Sequence, residues 1–253
     1  MIKLLSLETA TDRGSFCLWS GEETAGAPLQ LAARTEECPP GQPHAETLLP
    51  MLRQTLNETG WALSDLDAIV VDAGPGMFTG LRVSAALAQG LAVASGKAII
   101  SISSLEALAE SAYVQTSLHR VLTLLDARMN QIYAAAWERT TGGDWQAIFS
   151  PCLINPEALD SLPLDLLTGG IDGADPMAVA GTALDEYPEA AQWFVAKGLQ
   201  DSGVRYPEAM AVAALGAHRL VRGALQDPAE ALPVYVRDRV ALTTAERAAG
   251  LSL

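Results

Sequence analysis

The sequence predicts an α/β protein of two halves laid out on one plan, and three observations predict it. Between residues 2 and 34, three short apolar runs are separated by turn compositions, after which helical and strand patterns alternate in the order βββαβαβ. The same order returns, more loosely, from residue 104 onward. The segments LLSLETATDRGSFCLW and VLTLLDARMNQIYAAAW each close their first strand on an acid, Glu8 and Asp126. A first lobe over residues 1–103 and a smaller second lobe over 104–206 are expected, with the segment 207–240 joining the first lobe.

IKLLSLE (2–8), SFCLWS (15–20) and PLQLAAR (28–34) are the opening strands; ATDRG and GEETAG between them are turn compositions. The prolines of ECPPGQP (37–43) keep that stretch from being helical. HAETLLPMLRQTLNETG (44–60) carries leucines at 48, 49, 52 and 56, a helical stripe closed by Gly60, with Pro50 predicting a kink or a late start. A strand over 67–72, a helix over 79–95 and a strand over 98–102 follow.

In the second half, Ser103-Ser104-Leu105-Glu106 reads as a capping box opening a helix to about residue 115. RVLTLLD (120–126), QIYAAAWER (131–139) and DWQAIFS (144–150) form a second meander. Asn155-Pro156 predicts an N-cap with proline at the first helical position. MAVAG (177–181) is a strand, and PEAMAVAALGAHRLVRG (207–223) is an amphipathic helix ending at Gly223.

Composition narrows the function. Hydrophobic residues make up 49% of the 253 and charged residues 18%, ample for packed cores and incompatible with global disorder. The three cysteines lack any CxxC spacing, which suits a reducing, cytoplasmic setting rather than a disulfide framework or zinc site. The apolar run before Glu8 is too short for a signal peptide, and no stretch reads as a membrane span. With 16 basic against 30 acidic residues the net charge is −14. A protein that grips RNA alone presents a basic face. Any nucleic acid in this function is therefore expected to be held by a partner.

The densest signal is VVDAGPGMFTGLRVSAALAQGLAVASG (70–96): a strand, a glycine-proline-glycine turn and a helix apolar nearly all round. Glycines at 74, 76 and 80 fit neither GxGxxG nor GxxxxGK[ST]. Gly74, Gly76 and Thr79, with Glu8, remain candidates for an anion or nucleotide contact; the alternative is a tight turn with Thr79 as N-cap. Arg82 lies in the first helical turn, where the dipole disfavours a cation, so it marks a contact site. Ala86, Gly90 and Ala94 recur at steps of four, beside Val83, Leu87 and Leu91, and small residues at that spacing admit a second helix closely. Together with Leu48, Leu52 and Leu56 of the preceding helix they make half of a four-helix bundle, which a second chain is expected to complete.

Catalytic constellations are sparse. Four residues after His44 stands Leu48, so the helical HxxxH metal pair is missing, and neither HExxH nor GxSxG occurs. Glu8 and Asp12 could position magnesium or water, though acids in such places more often cap turns. No catalytic residue and no metal site are assigned.

LSLETAT, HAETLLPML, AGPGMFTGLRVSAALAQGLA, SISSLEALA, LLDARMNQIYAA and the closing LPVYVR resemble, in order, the bacterial TsaB (YeaZ) family, from residue 2 to about 237. The resemblance implies the two-lobed fold of actin, sugar kinases and heat-shock chaperones. It further implies a role in tRNA threonylcarbamoyladenosine modification next to the anticodon. In that role the subunit is a non-catalytic scaffold that binds a metal-containing catalytic paralogue, TsaD, through the two helices singled out, and a small ATPase, TsaE, joins them. ATP and metal are then expected on the partners, tRNA mainly on the catalytic partner, and a homodimer when the subunit is alone. The family usually has Asp where this chain has Glu8, which weakens any inherited nucleotide role. A stand-alone ATPase or kinase of the same fold is the alternative, and a metalloprotease a more distant one.

Overall fold

The computed structural model describes residues 1–24, 27–163 and 176–237. Five strands form the first sheet: β1 (Ile2–Glu8), β2 (Ser15–Thr24), β3 (Ala27–Glu37), β4 (Ala68–Gly74) and β5 (Ala98–Ser103), in the order β3-β2-β1-β4-β5. The first three pair antiparallel, as their short turns require, while β1–β4 and β4–β5 are parallel, with helices as crossovers. The second sheet repeats this arrangement with β6 (Arg120–Asp126), β7 (Ile132–Arg139), β8 (Trp145–Ile154), β9 (Met177–Ala180) and β10 (Gln200–Asp201), in the order β10-β9-β6-β7-β8.

Alternation along the strands sorts side chains onto two faces. On the first sheet Leu5, Leu7, Phe16, Leu18, Ile69 and Val71 point outward, toward helices α1 (His44–Thr59) and α2 (Phe78–Ser95). Leu4, Cys17, Trp19, Val70, Ile100 and Ile102 point the other way, into a core shared with the second lobe. That core holds helices α3 (Ser104–Thr116) and α6 (Ala209–Val221), and its filling is crossed. α6, late in the chain, lies across β1 to β5 of the first sheet, whereas α3 packs on β6, β7 and β9 of the second. Ser6 donates its hydroxyl to the carbonyl of Ala209, joining positions 203 residues apart.

Several local expectations are corrected. Pro50 sits inside α1 without ending it, and α1 begins at His44. α2 begins at Phe78 with Met77 at the cap position, so Thr79 is inside the first turn rather than the N-cap. The capping box of α3 is half formed: Glu106 accepts from the backbone N–H of Ser103, while the hydroxyl of Ser103 makes no cap bond. After Asn155-Pro156 comes only a 3₁₀ turn, Pro156–Ser161, and Asn155 makes no side-chain cap. The short helices α4 (Ala183–Glu186) and α5 (Pro188–Ala196), with the two-residue β10, have no counterpart in the pattern reading. Residues 238–240 of the segment expected to join the first lobe lie outside the described residues. Among the described residues no helix is long and apolar enough to cross a membrane.

Candidate functional site

α1 and α2 lie side by side on the outer face of the first sheet. Their shared inner surface, Leu48 and Leu52 from α1 with Ala88, Leu91 and Ala92 from α2, is buried against Leu5, Leu7, Ile69 and Val71. Three residues expected at a partner interface are thereby corrected. Leu48 and Leu52 are each 1% exposed and Leu91 9%, so they support the surface from beneath and do not reach a second molecule. The 100° advance per residue places position 49, not 48 or 52, on the outside.

The outer surface is a different set. Ala86, Gly90 and Ala94 are exposed on one stripe, Val83, Leu87 and Leu56 are half-buried beside it, and Arg82 is exposed at its N-terminal end. A Cβ built on Gly90 meets nothing within 4 Å, so no contact within the chain requires glycine there. Exposed Leu49, Phe78 and Val93 enlarge the apolar area. Between the helices runs a groove of about 450 Å³, lined by His44, Leu49, Phe78, Arg82, Val83 and Ala86 among others. A second, of about 990 Å³, is lined by α1 from Leu49 to Glu58, by Trp61 and by Leu91 of α2.

Arg82 is held by aromatic groups. Its guanidinium lies 3.6 Å from the ring centre of Phe78, one turn earlier, and its Nε donates to the hydroxyl of Tyr235 at 3.1 Å. The cation–π contact, worth about 0.5–1 kcal/mol at an exposed site, offsets the few tenths lost to the helix dipole. Tyr235 belongs to a C-terminal strap, residues 231–237, whose Val234 N–H donates to the carbonyl of Ala73 at the end of β4. Phe78 was legible as an i, i+4 partner of Arg82. The strap was not, because nothing in its composition says where it lands.

The glycine turn does not cradle an anion with its glycines. A Cβ on Gly76 would collide with the backbone of Ala10, and one on Gly80 with the carbonyl oxygen of Thr9. The loop after β1 packs directly against this turn. Met77 N–H donates to the carbonyl of Ala10 at 2.7 Å, and the hydroxyl of Thr9 donates to the carbonyl of Gly80 at 2.7 Å. Gly74 is buried beneath the strap, and its N–H donates to Asp72. Thr79 is exposed on the side of the α1–α2 groove.

Beneath the turn stand two acids. Glu8, the last residue of β1, and Asp72, near the end of β4, are both fully buried. Burial pushes the Glu8 carboxyl well up, and the neighbouring Asp72 adds to this against the lowering hydrogen bond from Ala10 N–H. Burial likewise raises Asp72, against lowering hydrogen bonds from the Ser104 hydroxyl and Gly74 N–H. Glu8, Gly74, Gly76 and Thr79 thus meet Ala10, Asp72, the loop after β1 and the α1–α2 groove respectively, rather than converging on one open site.

Between the lobes lies a cleft of about 800 Å³ bordered by Glu8, Arg13, Glu37, Arg205, Tyr206 and Glu208. Arg205 is ion-paired to Asp185 and Asp201, and the guanidinium of Arg13 lies 3.8 Å from the ring centre of Tyr206. Four carboxyl side chains, Glu8, Glu37, Asp185 and Glu208, line it together with Arg13 and Arg205. His44 lies over Gly14, with Nε2 3.3 Å from the carbonyl oxygen of Asp12. Among the described residues no three His, Cys, Asp or Glu side chains converge to hold a metal ion.

Two duplicated lobes, mixed sheets in the order 3-2-1-4-5 and a crossed interlobe core define a two-lobed α/β protein of the actin, sugar kinase and heat-shock chaperone class. The family model for TsaD, tRNA N6-adenosine threonylcarbamoyltransferase, matches residues 40–243. The tRNA threonylcarbamoyladenosine biosynthesis protein TsaB of Haemophilus influenzae is 31% identical over 94% of this chain and 95% of its own. The TsaB protein of Escherichia coli K12 is 29% identical over 95% and 96%. A Pseudomonas aeruginosa structure described as similar to peptidase YeaZ superposes with a TM-score of 0.75 at 30% identity, over 94% of this chain and 100% of that one. The chain belongs to the TsaB (YeaZ) family.

Proposed function

We propose that this chain is a non-catalytic subunit in the biosynthesis of threonylcarbamoyladenosine in tRNA. It docks a TsaD-type catalytic paralogue on the outer face of α1 and α2, in an assembly that includes a TsaE-type ATPase. The observation that carries the reading is the open stripe of Ala86, Gly90 and Ala94, where an apolar helix face ends in solvent and Gly90 has empty space above it. A helix so placed admits another helix at close range, and the curated relatives are named for this biosynthesis. Metal and ATP are assigned to its partners. The net charge of −14 fits one that leaves most of the tRNA to the catalytic partner, in the cytoplasm. The subunit acts by favouring the partner's active conformation, a population shift whose size equals its differential affinity for the two states. Without the partner, the same face pairs with a second copy of this chain.

The test is Gly90→Arg. A long charged side chain at an exposed position with no neighbours leaves the fold unchanged, so the circular dichroism spectrum and a cooperative melt are retained. Co-purification with the paralogue is lost and tRNA modification falls at least tenfold. Normal binding and modification by a folded Gly90→Arg protein would refute the interface. Light scattering of the isolated chain should give a dimer mass that becomes a monomer in the variant.

A further inference from the structure

Glu8 and Asp72 occupy matching positions on neighbouring parallel strands. β1 and β4 pair Ser6 with Val70 and Leu7 with Val71, so the next step of the register sets Glu8 beside Asp72. Neighbouring strands lie about 4.8 Å apart, and both side chains leave the sheet on the face of Leu4 and Val70, away from α1 and α2. Each carboxyl has one oxygen engaged. Oε1 of Glu8 accepts from Ala10 N–H at 2.7 Å, and Oδ1 of Asp72 accepts from Gly74 N–H at 2.7 Å and from the Ser104 hydroxyl at 2.6 Å. Each has its other oxygen, Glu8 Oε2 and Asp72 Oδ2, buried with no hydrogen-bond partner.

Two buried carboxylates side by side cannot both stay ionised, and two orphaned acceptors cannot satisfy each other without a hydrogen. One proton resolves both. We propose that Glu8 and Asp72 share a single proton, carried on Glu8 Oε2 and donated to Asp72 Oδ2, and that this bond pins the N-terminal turn of α2. The assignment of the proton to Glu8 follows from the donors: Asp72 receives two hydrogen bonds that favour its charged form, Glu8 one. The other groups acting on Glu8 oppose its ionisation: Asp12 on the turn after β1 and Glu208 ahead of α6. The Cys38 thiol, on the segment after β3, in turn feels Glu8. Among the described residues neither acid has an ion-pair partner, and Arg13, on the turn after β1, is stacked on the ring of Tyr206. The duplicated position in the second lobe shows the contrast. There Asp126 is ion-paired with Arg128 at 3.1 Å and accepts the Tyr187 hydroxyl at 2.6 Å, so each of its oxygens has a partner.

The mechanical link is short. Glu8 fixes Ala10 through its N–H, the carbonyl of Ala10 fixes Met77, and Thr9 fixes Gly80, so the acid pair and the start of α2 are bolted together. Loss of the shared proton to solvent leaves two like charges in contact. Their separation moves the 9–12 loop, and with it Phe78 and Arg82 at the edge of the docking face. The shared proton stands on its own, whereas its consequence for docking rests on the function proposed above.

The test uses the isolated full chain. Infrared spectroscopy at pH 7 should show the carbonyl band of a protonated carboxylic acid, absent in Glu8→Gln; a wild-type spectrum without that band overturns the proposal even if the variant fails to fold. Hydrogen exchange of the Ala10, Gly74 and Met77 amides, corrected for intrinsic rates, should speed up at least tenfold as the pair deprotonates on raising the pH. In Asp72→Asn, where the amide donates to Glu8 at every pH, protection should be flat. Equal pH dependence in wild type and Asp72→Asn overturns the pin. Paralogue affinity that follows the exchange profile supports the link to docking. A pH-independent affinity beside an intact exchange result refutes that link and leaves the shared proton standing.

Discussion

Glycine serves opposite ends at two places in α2. At Gly80 the hydrogen replaces a side chain that would strike the carbonyl oxygen of Thr9, and at Gly90 nothing lies within 4 Å of the missing Cβ. Gly80→Ala should therefore cost roughly 1–3 kcal/mol by overpacking, lowering the melting temperature by about 2–4 °C per kcal/mol. Gly90→Ala should raise it, since alanine is the better helix former by up to about 1 kcal/mol. If Gly90 is kept for a partner's close approach, the same substitution weakens co-purification while stabilising the isolated chain, a divergence that calorimetry and pull-down together detect. The glycine spacing was legible in the sequence, but its meaning was not. A periodic stripe cannot tell whether the loop after β1 already occupies the space above it. The same blindness put Leu48 and Leu52 outside, when a one-position rotation of α1 turns them in and Leu49 out.

Titration belongs to this scale too. Burial raises both acids of the Glu8–Asp72 pair above their ordinary range. The unfolded chain gives up both protons as pH passes the ordinary carboxylate range while the folded pair keeps its shared one, so more protons are bound in the native state and stability falls as pH rises until the folded pair ionises. Chemical denaturation between pH 4 and 8 should give a stability difference, Asp72→Asn minus wild type, that grows with pH. A difference independent of pH would contradict the burial argument.

At the scale of elements, β1, β4 and β6 were readable as short apolar runs bounded by turn compositions, and α1 and α6 by their period of 3.6. Failures gathered where no period exists. Pro50 suggested a kink or a late start, yet α1 begins at His44 and runs through it, because burial of Leu48 and Leu52 on either side holds the helix. Helices as short as α4 and a strand of two residues are set by tertiary contacts rather than by their own composition. The C-terminal strap belongs with these. Its Arg237 donates Nη2 to the carbonyls of Ala127 and Arg128 and to Oε1 of Gln131, in a β6–β7 turn whose Arg128, Met129 and Asn130 all have positive φ. Three left-handed non-glycine residues in succession are costly, and the strap's guanidinium ties down the turn that holds them through the Ala127 and Arg128 carbonyls and the Gln131 side chain. Arg237→Ala should destabilise the chain by roughly 1–3 kcal/mol and open residues 127–131 to limited proteolysis, with the α1–α2 groove unaffected.

For the whole molecule, the two-lobed plan was legible because its repeat of strand order is written twice. The crossing of α3 and α6 between the lobes was not, since helix patterns carry no address. That crossing has a consequence on the ribosome. The inner face of the first sheet, with Leu4, Trp19 and Val70, is roofed by α6, the last helix of the described chain to be synthesised. Until residues 209–221 leave the exit tunnel, the nascent first lobe presents a bare apolar sheet. Chains stalled before that point should stay bound to chaperones, and those released after it should not.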